Sequence, residues 1–312
     1  MKFSIVITTY NRVEFLKRAI ASALNQTLPC EIIVVDNAST DNTADYVQGL
    51  SDGITYHRNP TNTHHAGAVN EGVRIATGDW VKFIDDDDYL ASNCLEVIKN
   101  AIVAHPAAVI CSCQAIQVDT QAKELSRTPK TGPGDAFFIP QEAIHYGMLL
   151  EQVPFGTPIQ VAVKRDAFLK AKGWDRTMTG CVEIDAWIRI AEYGDALFIN
   201  QPLAYRTIWP GGYDQRIDLA NRRDVNFMIK ERIYKRIDSK YRDQVPSLEV
   251  VRRYLNLHWG IVALKQRKWG IATSLCFPAS FSLPAWQLLR QARTMRRRGF
   301  ESSLIPKMTI AP

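Results

Sequence analysis

No run of eighteen apolar residues occurs anywhere in this 312-residue chain, so nothing in it reads as a simple membrane-spanning helix. There is no GxxxxGK[ST] loop and no GxGxxG turn, which removes the two common ways of cradling phosphates on backbone amides. The six cysteines (Cys30, Cys94, Cys111, Cys113, Cys181, Cys276) include no CxxC pair, which argues against a disulfide frame or a zinc site and for reduced thiols in a cytoplasmic protein. The opening MKFSIVITTYNR has no small-residue cleavage site and enters a strand-like pattern at once, unlike a secretory leader. Acid is scarce at the back. Residues 222–300 hold 18 Lys/Arg against 5 Asp/Glu, whereas residues 1–221 hold 19 against 26. A basic third therefore follows an acidic front, and it suits an anionic surface or a solvated helical face.

What is present reads as alternating strands and helices. FSIVITT (3–9), EIIVVDN (31–37), Ile54–Tyr56 and WVKFI (80–84) are apolar, β-branched runs expected of buried strands. Between them, VEFLKRAIASALNQT, TADYVQGL and residues 66–76 carry helical spacing, with Ser39-Thr40-Asp41 as an N-cap signal. Further on, PKTGPGDAFF (129–138) reads as an exposed loop and QEAIHYGMLLEQ as a helix. QVAVKRD reads as a strand, AWIRIAEYG as a helix starting near Ala186, and ALFINQPLAYRT as two strand pieces split at Pro202. A soft boundary falls at 215–225, where long basic amphipathic segments begin. The pattern predicts an α/β fold: a Rossmann-like, mostly parallel sheet with helices on both faces.

In such sheets ligands bind at the carboxyl ends of the strands. Three polar clusters fall there: Thr8-Thr9-Tyr10-Asn11-Arg12, Asp36-Asn37-Ala38-Ser39, and Asp85-Asp86-Asp87-Asp88. Four consecutive carboxylates repel one another unless something positive sits among them. Oxygen ligands with no His or Cys suit Mg²⁺ or Mn²⁺, which commonly bridge one or two carboxylates to a diphosphate. One of the four could instead cap the helix near Asn93, but a cap needs only one. A metal beside a diphosphate favours departure of a diphosphate leaving group.

At these residues the chain resembles the family 2 glycosyltransferases of the nucleotide-diphospho-sugar transferase (GT-A) fold. The resemblance is carried by ITTYNR (7–12), SALNQT (22–27), EIIVVDNASTDNT (31–43), the Asn70 region, GDWVKFIDDDDYL (78–90) and VEIDAWIRIAEYG (182–194). It covers roughly the first two thirds of the chain. It implies a catalytic domain over 1–220, with a nucleotide-sugar half (1–110) and an acceptor half (111–220), and a basic helical region over 221–312.

By the same resemblance, Thr8, Thr9, Tyr10 and Arg12 line the base and phosphates, and Asp36 and Asn37 face the base. The Asn37 carbonyl can accept from the N3–H of uracil or thymine, which favours a UDP- or dTDP-sugar. Asp85 and Asp86 sit by the ribose or sugar, Asp87 with Asp85 holds Mg²⁺ or Mn²⁺, and Asp88 caps the next helix. Glu183 is the general base and Asp185 the alternative. His64 and Val69 stand where the family usually has Gly and Arg, and His64 or His65 is then the candidate phosphate contact there, beside Asn70. Trp174 packs inside, and Trp209-Pro210-Gly211-Gly212 replaces a customary His.

The implied reaction is an inverting transfer to a hydroxyl of a glycan or lipid-linked acceptor, without nucleic acid. Two rivals stand beside it: a nucleotidyltransferase, although ITTYNR lacks a Gly-rich loop, and a degenerate scaffold that binds nucleotide-sugar without turnover. The apolar, Arg-flanked stretch 269–300 suits the inner face of a membrane, and equally a helical cap or a homo-oligomer contact.

Overall fold

The computed structural model describes residues 1–50, 53–210, 219–298 and 306–310. Gly211, Gly212 and the 215–218 part of the expected boundary lie outside the described residues. Strands β1 (Phe3–Thr9), β2 (Glu31–Asp36), β3 (Ile54–Arg58) and β4 (Trp80–Asp85) alternate with helices α1 (Val13–Leu24), α2 (Thr43–Gln48) and α3 (His64–Ile75). Then come β5 (Tyr89–Leu90), α4 (Cys94–Ala104), β6 (Ala108–Val118), β7 (Glu124–Arg127), β8 (Ala136–Ile139) and α5 (Gln141–Leu149). β9 (Val161–Lys164), α6 (Arg165–Lys170), α7 (Val182–Ile190) and β10 (Asp195–Thr207) complete the α/β part. Helices α8 (Leu219–Lys235), α9 (Leu248–Lys265), α10 (Trp269–Ala279) and α11 (Leu283–Arg298) follow, with a short β11 (Met308–Thr309).

The strands form one sheet in the order β11-β8-β10-β6-β9-β4-β1-β2-β3. β3, β2, β1 and β4 are parallel neighbours, and β6 pairs in parallel with β10. β9 is wedged antiparallel between β4 and β6. The buried Lys82 braces that wedge: its Nζ donates to the carbonyl of Ile159 at 2.5 Å, just before β9. Lys82 thus points away from the aspartates that follow it in sequence.

Alternate residues of each central strand face opposite layers, which is why these strands read as continuous apolar runs. Val6, Val35, Val81 and Phe83 pack under α3, α5, α6, α7 and α8. Ile5, Ile7, Val34 and Ile84 pack under α1, α2 and α4. Each fully buried side chain of this kind contributes about 1.5–3 kcal/mol. Six strands point the same way, so the ends of β1, β2 and β4 share one rim, as the polar clusters predict.

Several local expectations change. The PKTGPGDAFF segment is a loop only at its start. Phe137 and Ile139 are fully buried in β8, paired to β10. β10 runs unbroken through Pro202, because the register shifts on either side of it and no ladder N–H is required there. Helix α7 begins at Val182, so Glu183 and Asp185 occupy its first turn. Helix α3 begins at His64, and α2 at Thr43, where Asp41 accepts from the Thr43 N–H at 3.2 Å. Asp88 does not cap α4, whose N-cap Asn93 makes no side-chain cap bond; its Oδ1 accepts the Thr207 N–H at 2.8 Å instead.

Candidate active site

The rim is stitched together across loops. The Asn11 N–H donates to Ser39 Oγ at 2.9 Å, and Asn11 Oδ1 accepts the Thr40 N–H at 2.6 Å. This joins the loop after β1 to the loop after β2. Left-handed backbone at non-glycine residues costs energy and collects at working loops. Asn11 (φ 54°), Ala38 (φ 68°), His64 (φ 58°) and Cys181 (φ 53°) all adopt it, each on a loop that feeds this rim.

Asp36 and Asn37 organise the second loop. Asp36 is fully buried and accepts from the Ser39 N–H at 2.8 Å and the Tyr56 hydroxyl at 2.7 Å. Asn37 Oδ1 accepts from Asn59 Nδ2 (3.0 Å), the Thr63 N–H (2.9 Å) and Thr63 Oγ1 (3.0 Å). The carbonyl expected to meet a pyrimidine is therefore engaged by the protein, and it fixes the loop between β3 and α3. Tyr10 is exposed beside it.

The aspartate run continues the strand's two-residue alternation past the end of β4. Side chains of Asp85 and Asp87 remain 26% and 16% exposed, whereas Asp86 is 0% exposed and Asp88 is buried. The positive groups among them are Arg12, His65 and Arg18. Arg12 lies 2.8 Å from Asp86 Oδ1 and 3.2 Å from Asp87 Oδ2. His65 Nε2 sits 2.7 Å from Asp85 Oδ1. Arg18 donates to the Asp87 main-chain carbonyl at 2.8 Å and to Thr207 Oγ1 at 2.7 Å, and its guanidinium lies 4.4 Å from the Tyr89 ring centroid. Trp209 Nε1 donates to Asp87 Oδ2 at 2.8 Å.

Proton affinities follow that geometry. Burial pushes the Asp86 carboxyl up to about 7, against the pull of Arg12. Burial and then the Asp87 charge hold Asp88 well above the usual carboxylate range. For Asp85, withdrawal from water works upward, but the His65 charge and hydrogen bond prevail and hold it low. His65 is raised in turn: Asp85 overcomes desolvation, with a further contribution from Glu183. The inner two carboxyls thus favour protonation, which relieves the repulsion on the outer pair.

Glu183 and Asp185 part company on α7. Asp185 is buried, and both its oxygens are engaged. Oδ2 accepts from Arg189 at 2.8 Å and Oδ1 from Arg232 of α8 at 2.5 Å. Glu183 is only partly buried and lies within electrostatic reach of His65, hence on the side of Asp85. The loop before α7 is held by Asn70, whose Nδ2 donates to the Trp174 carbonyl at 2.9 Å and whose Oδ1 accepts the Trp174 N–H at 2.7 Å. Gly173 (φ 64°) permits this contact, since a Cβ there would lie 2.4 Å from Asn70 Oδ1. Trp174 is buried and meets His65 edge-on at 5.1 Å.

Thr8, Tyr10, Arg12, Asp85, Asp87 and Glu183 are thus gathered around one rim. Thr9, Asp36, Asn37, Asp86 and Asp185 are buried, as is Thr8, and Asn70 is tied to Trp174. Residues that sequence reasoning passed over are Arg18, Tyr56, Asn59 and Arg232. Arg18 carried a signal, being a cation one helical stretch beyond ITTYNR. Arg232 carried none beyond the basic excess of its segment.

Among the described residues no three His, Cys, Asp or Glu form a ready-made metal cage. The donor set nevertheless fits a hard divalent cation. Asp85 Oδ2 and Asp87 Oδ1 have no hydrogen-bond donor among the described residues, while the other oxygen of each is held in place. Two carboxylate oxygens completed by phosphate and water are an ordinary Mg²⁺ or Mn²⁺ set.

Comparison with known proteins agrees with this geometry. The sequence pattern described as "Glycosyl transferase family 2" matches residues 4–170, more than half of the chain. An uncharacterized glycosyltransferase of Haemophilus influenzae is 27% identical over 75% of this chain and 78% of its own. The GalNAc(5)-diNAcBac-PP-undecaprenol beta-1,3-glucosyltransferase of Campylobacter jejuni is 35% identical over 40% of this chain, a match that spans only 42% of that relative. Among solved structures, S. aureus TarS 1-349 in complex with UDP-GlcNAc superposes with a TM-score of 0.61 at 16% identity, over 94% of this chain and 79% of the other. The mannosyltransferase PcManGT of Pyrobaculum calidifontis, in complex with GDP-Man and Mn²⁺, gives 0.54 at 19% identity, over 94% and 80%. Both likenesses show the fold.

Proposed function

The chain belongs to glycosyl transferase family 2, and on that premise we propose that this glycosyltransferase moves a sugar from a UDP- or dTDP-sugar to a hydroxyl of a lipid-linked or polymeric glycan acceptor, with inversion. The observation that carries the reading is the division of labour among the acids. Asp85 and Asp87 face outward at the end of β4, and Glu183 stands on the His65 side of them. Asp86, Asp88 and Asp185 are committed to the protein.

In this reading the nucleotide lies across the ends of β1 and β2. The exposed Tyr10 ring offers its face to the base, and Asp36 and Asn37 hold the loop that receives it. Arg12 binds phosphate. Its partial exposure and its place between Asp86 and Asp87 leave it free to exchange one carboxylate for another anion. Asp87 and Asp85 would hold Mg²⁺ or Mn²⁺, which when bound neutralises charge on a departing diphosphate. Glu183 takes the proton of the acceptor hydroxyl as that oxygen attacks the anomeric carbon opposite the leaving group. The Arg189–Asp185–Arg232 network sets the first turn of α7, and with it the position of Glu183. The undecaprenol-linked acceptor named for the Campylobacter relative and the UDP-sugar seen on TarS support the acceptor and donor classes, and the PcManGT complex supports the metal. A cytoplasmic site beside the membrane would suit such an acceptor.

The test is nucleotide release from a panel of UDP-, dTDP- and GDP-sugars, with and without Mn²⁺, followed by product analysis. Metal-dependent release of one nucleotide, and an inverted linkage, is the expected result. Glu183→Gln should keep donor binding and lose transfer. Binding with no turnover would instead support a scaffold, and incorporation of a nucleoside monophosphate would support a nucleotidyltransferase.

A further inference from the structure

Six of the 14 large apolar side chains that the described residues leave exposed fall between Leu264 and Trp286. They are Leu264, Trp269, Phe277, Phe281, Leu283 and Trp286. The inner faces of α10 and α11 are already used: Ala279, Ala285, Leu289 and Ala292 pack on Tyr254, Leu255 and Leu257 of α9. The exposed rings are therefore on faces that α9 does not cover. They also converge. Phe277 and Phe281 meet edge-on at 5.6 Å, and Trp286 Nε1 donates to the Ser280 carbonyl at 3.0 Å. One aromatic tip is formed at the turn between α10 and α11. Pro278 in the last turn of α10 and Pro284 at the start of α11 stiffen it.

Beside the tip lies a depression of about 320 Å³ lined by Trp286, Leu289, Arg290, Arg293 and Thr294. It offers two guanidinium groups and a hydroxyl next to an indole, a set that suits a phosphate. Along the chain the nearby charge is of one sign, since residues 250–300 hold ten Lys/Arg and no Asp/Glu, with Glu249 just before them paired to Arg253 at 2.9 Å. No helix of the described residues is long and apolar enough to cross a bilayer.

We infer that the α10–α11 tip docks on an anionic phospholipid surface, with Phe277, Phe281 and Trp286 at the headgroup–acyl boundary and Arg290 and Arg293 on lipid phosphates. Aromatic side chains beside clustered cations favour such an interface, and each cation near it adds attraction. A second copy of the chain is a poor occupant, because a two-fold contact through this tip would set two acid-free, strongly basic segments against each other. The inference does not depend on which sugar is transferred.

Flotation of the full chain with vesicles tests it, comparing phosphatidylcholine alone with phosphatidylcholine containing phosphatidylglycerol. Partition should be at least about tenfold stronger on the anionic vesicles and should fall as salt is raised. Phe277→Ser/Phe281→Ser and Arg290→Glu/Arg293→Glu should each reduce it about tenfold or more, with nucleotide release in solution unchanged. A readout on the unmodified chain guards against misfolded variants: brominated acyl chains should quench tryptophan emission in anionic vesicles only. Equal partition on both vesicles, absence of quenching, or a vesicle-free dimer that Phe277→Ser/Phe281→Ser abolishes would each overturn the proposal.

Discussion

Arg232, carried by the basic helix α8, donates to Asp185 Oδ1 at 2.5 Å in the first turn of α7. The basic region is therefore wired into the turn that carries Glu183. Arg232→Met should leave Asp185 paired with Arg189 alone. Because Arg232 is partly exposed, the expected cost is about 1 kcal/mol, read as a fall of a few degrees in melting temperature. Catalysis should suffer more than folding. We expect kcat to fall several-fold with little change in the donor's KM; an unchanged kcat would separate α8 from catalysis.

Asp87 and Asp88 are neighbours with opposite duties, and calorimetry of Mn²⁺ binding in the presence of UDP should separate them. Asp87→Ala removes an outward carboxylate and should abolish the binding heat together with metal-dependent turnover. Asp88→Asn keeps an acceptor for the Thr207 N–H and should leave the affinity nearly unchanged. Equal losses in both variants would mean that the run acts as a diffuse anionic patch.

Gly173 should tolerate no side chain. Its φ of 64° strains any L residue, and the Cβ of Gly173→Ala would meet Asn70 Oδ1 at 2.4 Å. A loss of about 1–3 kcal/mol is expected. Adding Asn70→Ala removes the clash while keeping the backbone strain, so the double variant should cost less than the sum of the singles. Strict additivity in denaturant melts would refute the contact.

A pH effect on stability should arise at His145 of α5. The ring is buried and its Nε2 lies 2.9 Å from the Ile188 carbonyl on α7. Burial lowers its pKa, so the folded state binds fewer protons there than the unfolded chain. The stabilisation is complete above the unfolded value of about 6.5 and is lost as the pH falls below it. Melting temperature should therefore drop through that window, and His145→Gln, which keeps a donor, should flatten this part of the profile.

The parallel core was legible because strands buried on both faces leave continuous apolar runs, and because polar residues at their ends mark the rim. The errors have physical causes. Pro202 looked like a break because a proline in a regular ladder is one, and a register shift is invisible in sequence. Phe137 and Phe138 follow two glycines and read as loop, although Gly134 (φ 63°) is what lets the chain turn into β8 and Gly132 leaves room for the Phe137 ring. For Asp88, a helix nearby suggested a cap, whereas its partner Thr207 is 119 residues away. Long-range partners such as Arg232 leave no local trace at all.

The in-and-out placement of the four acids has a consequence for tolerated change. Substituting one member alters one duty, but deleting any one shifts every later member by a residue. The text would still read as three aspartates, yet the side chain delivered to solvent would trade places with one meant for the interior. Length between Ile84 and Tyr89, more than acidity as such, is what this segment has to keep.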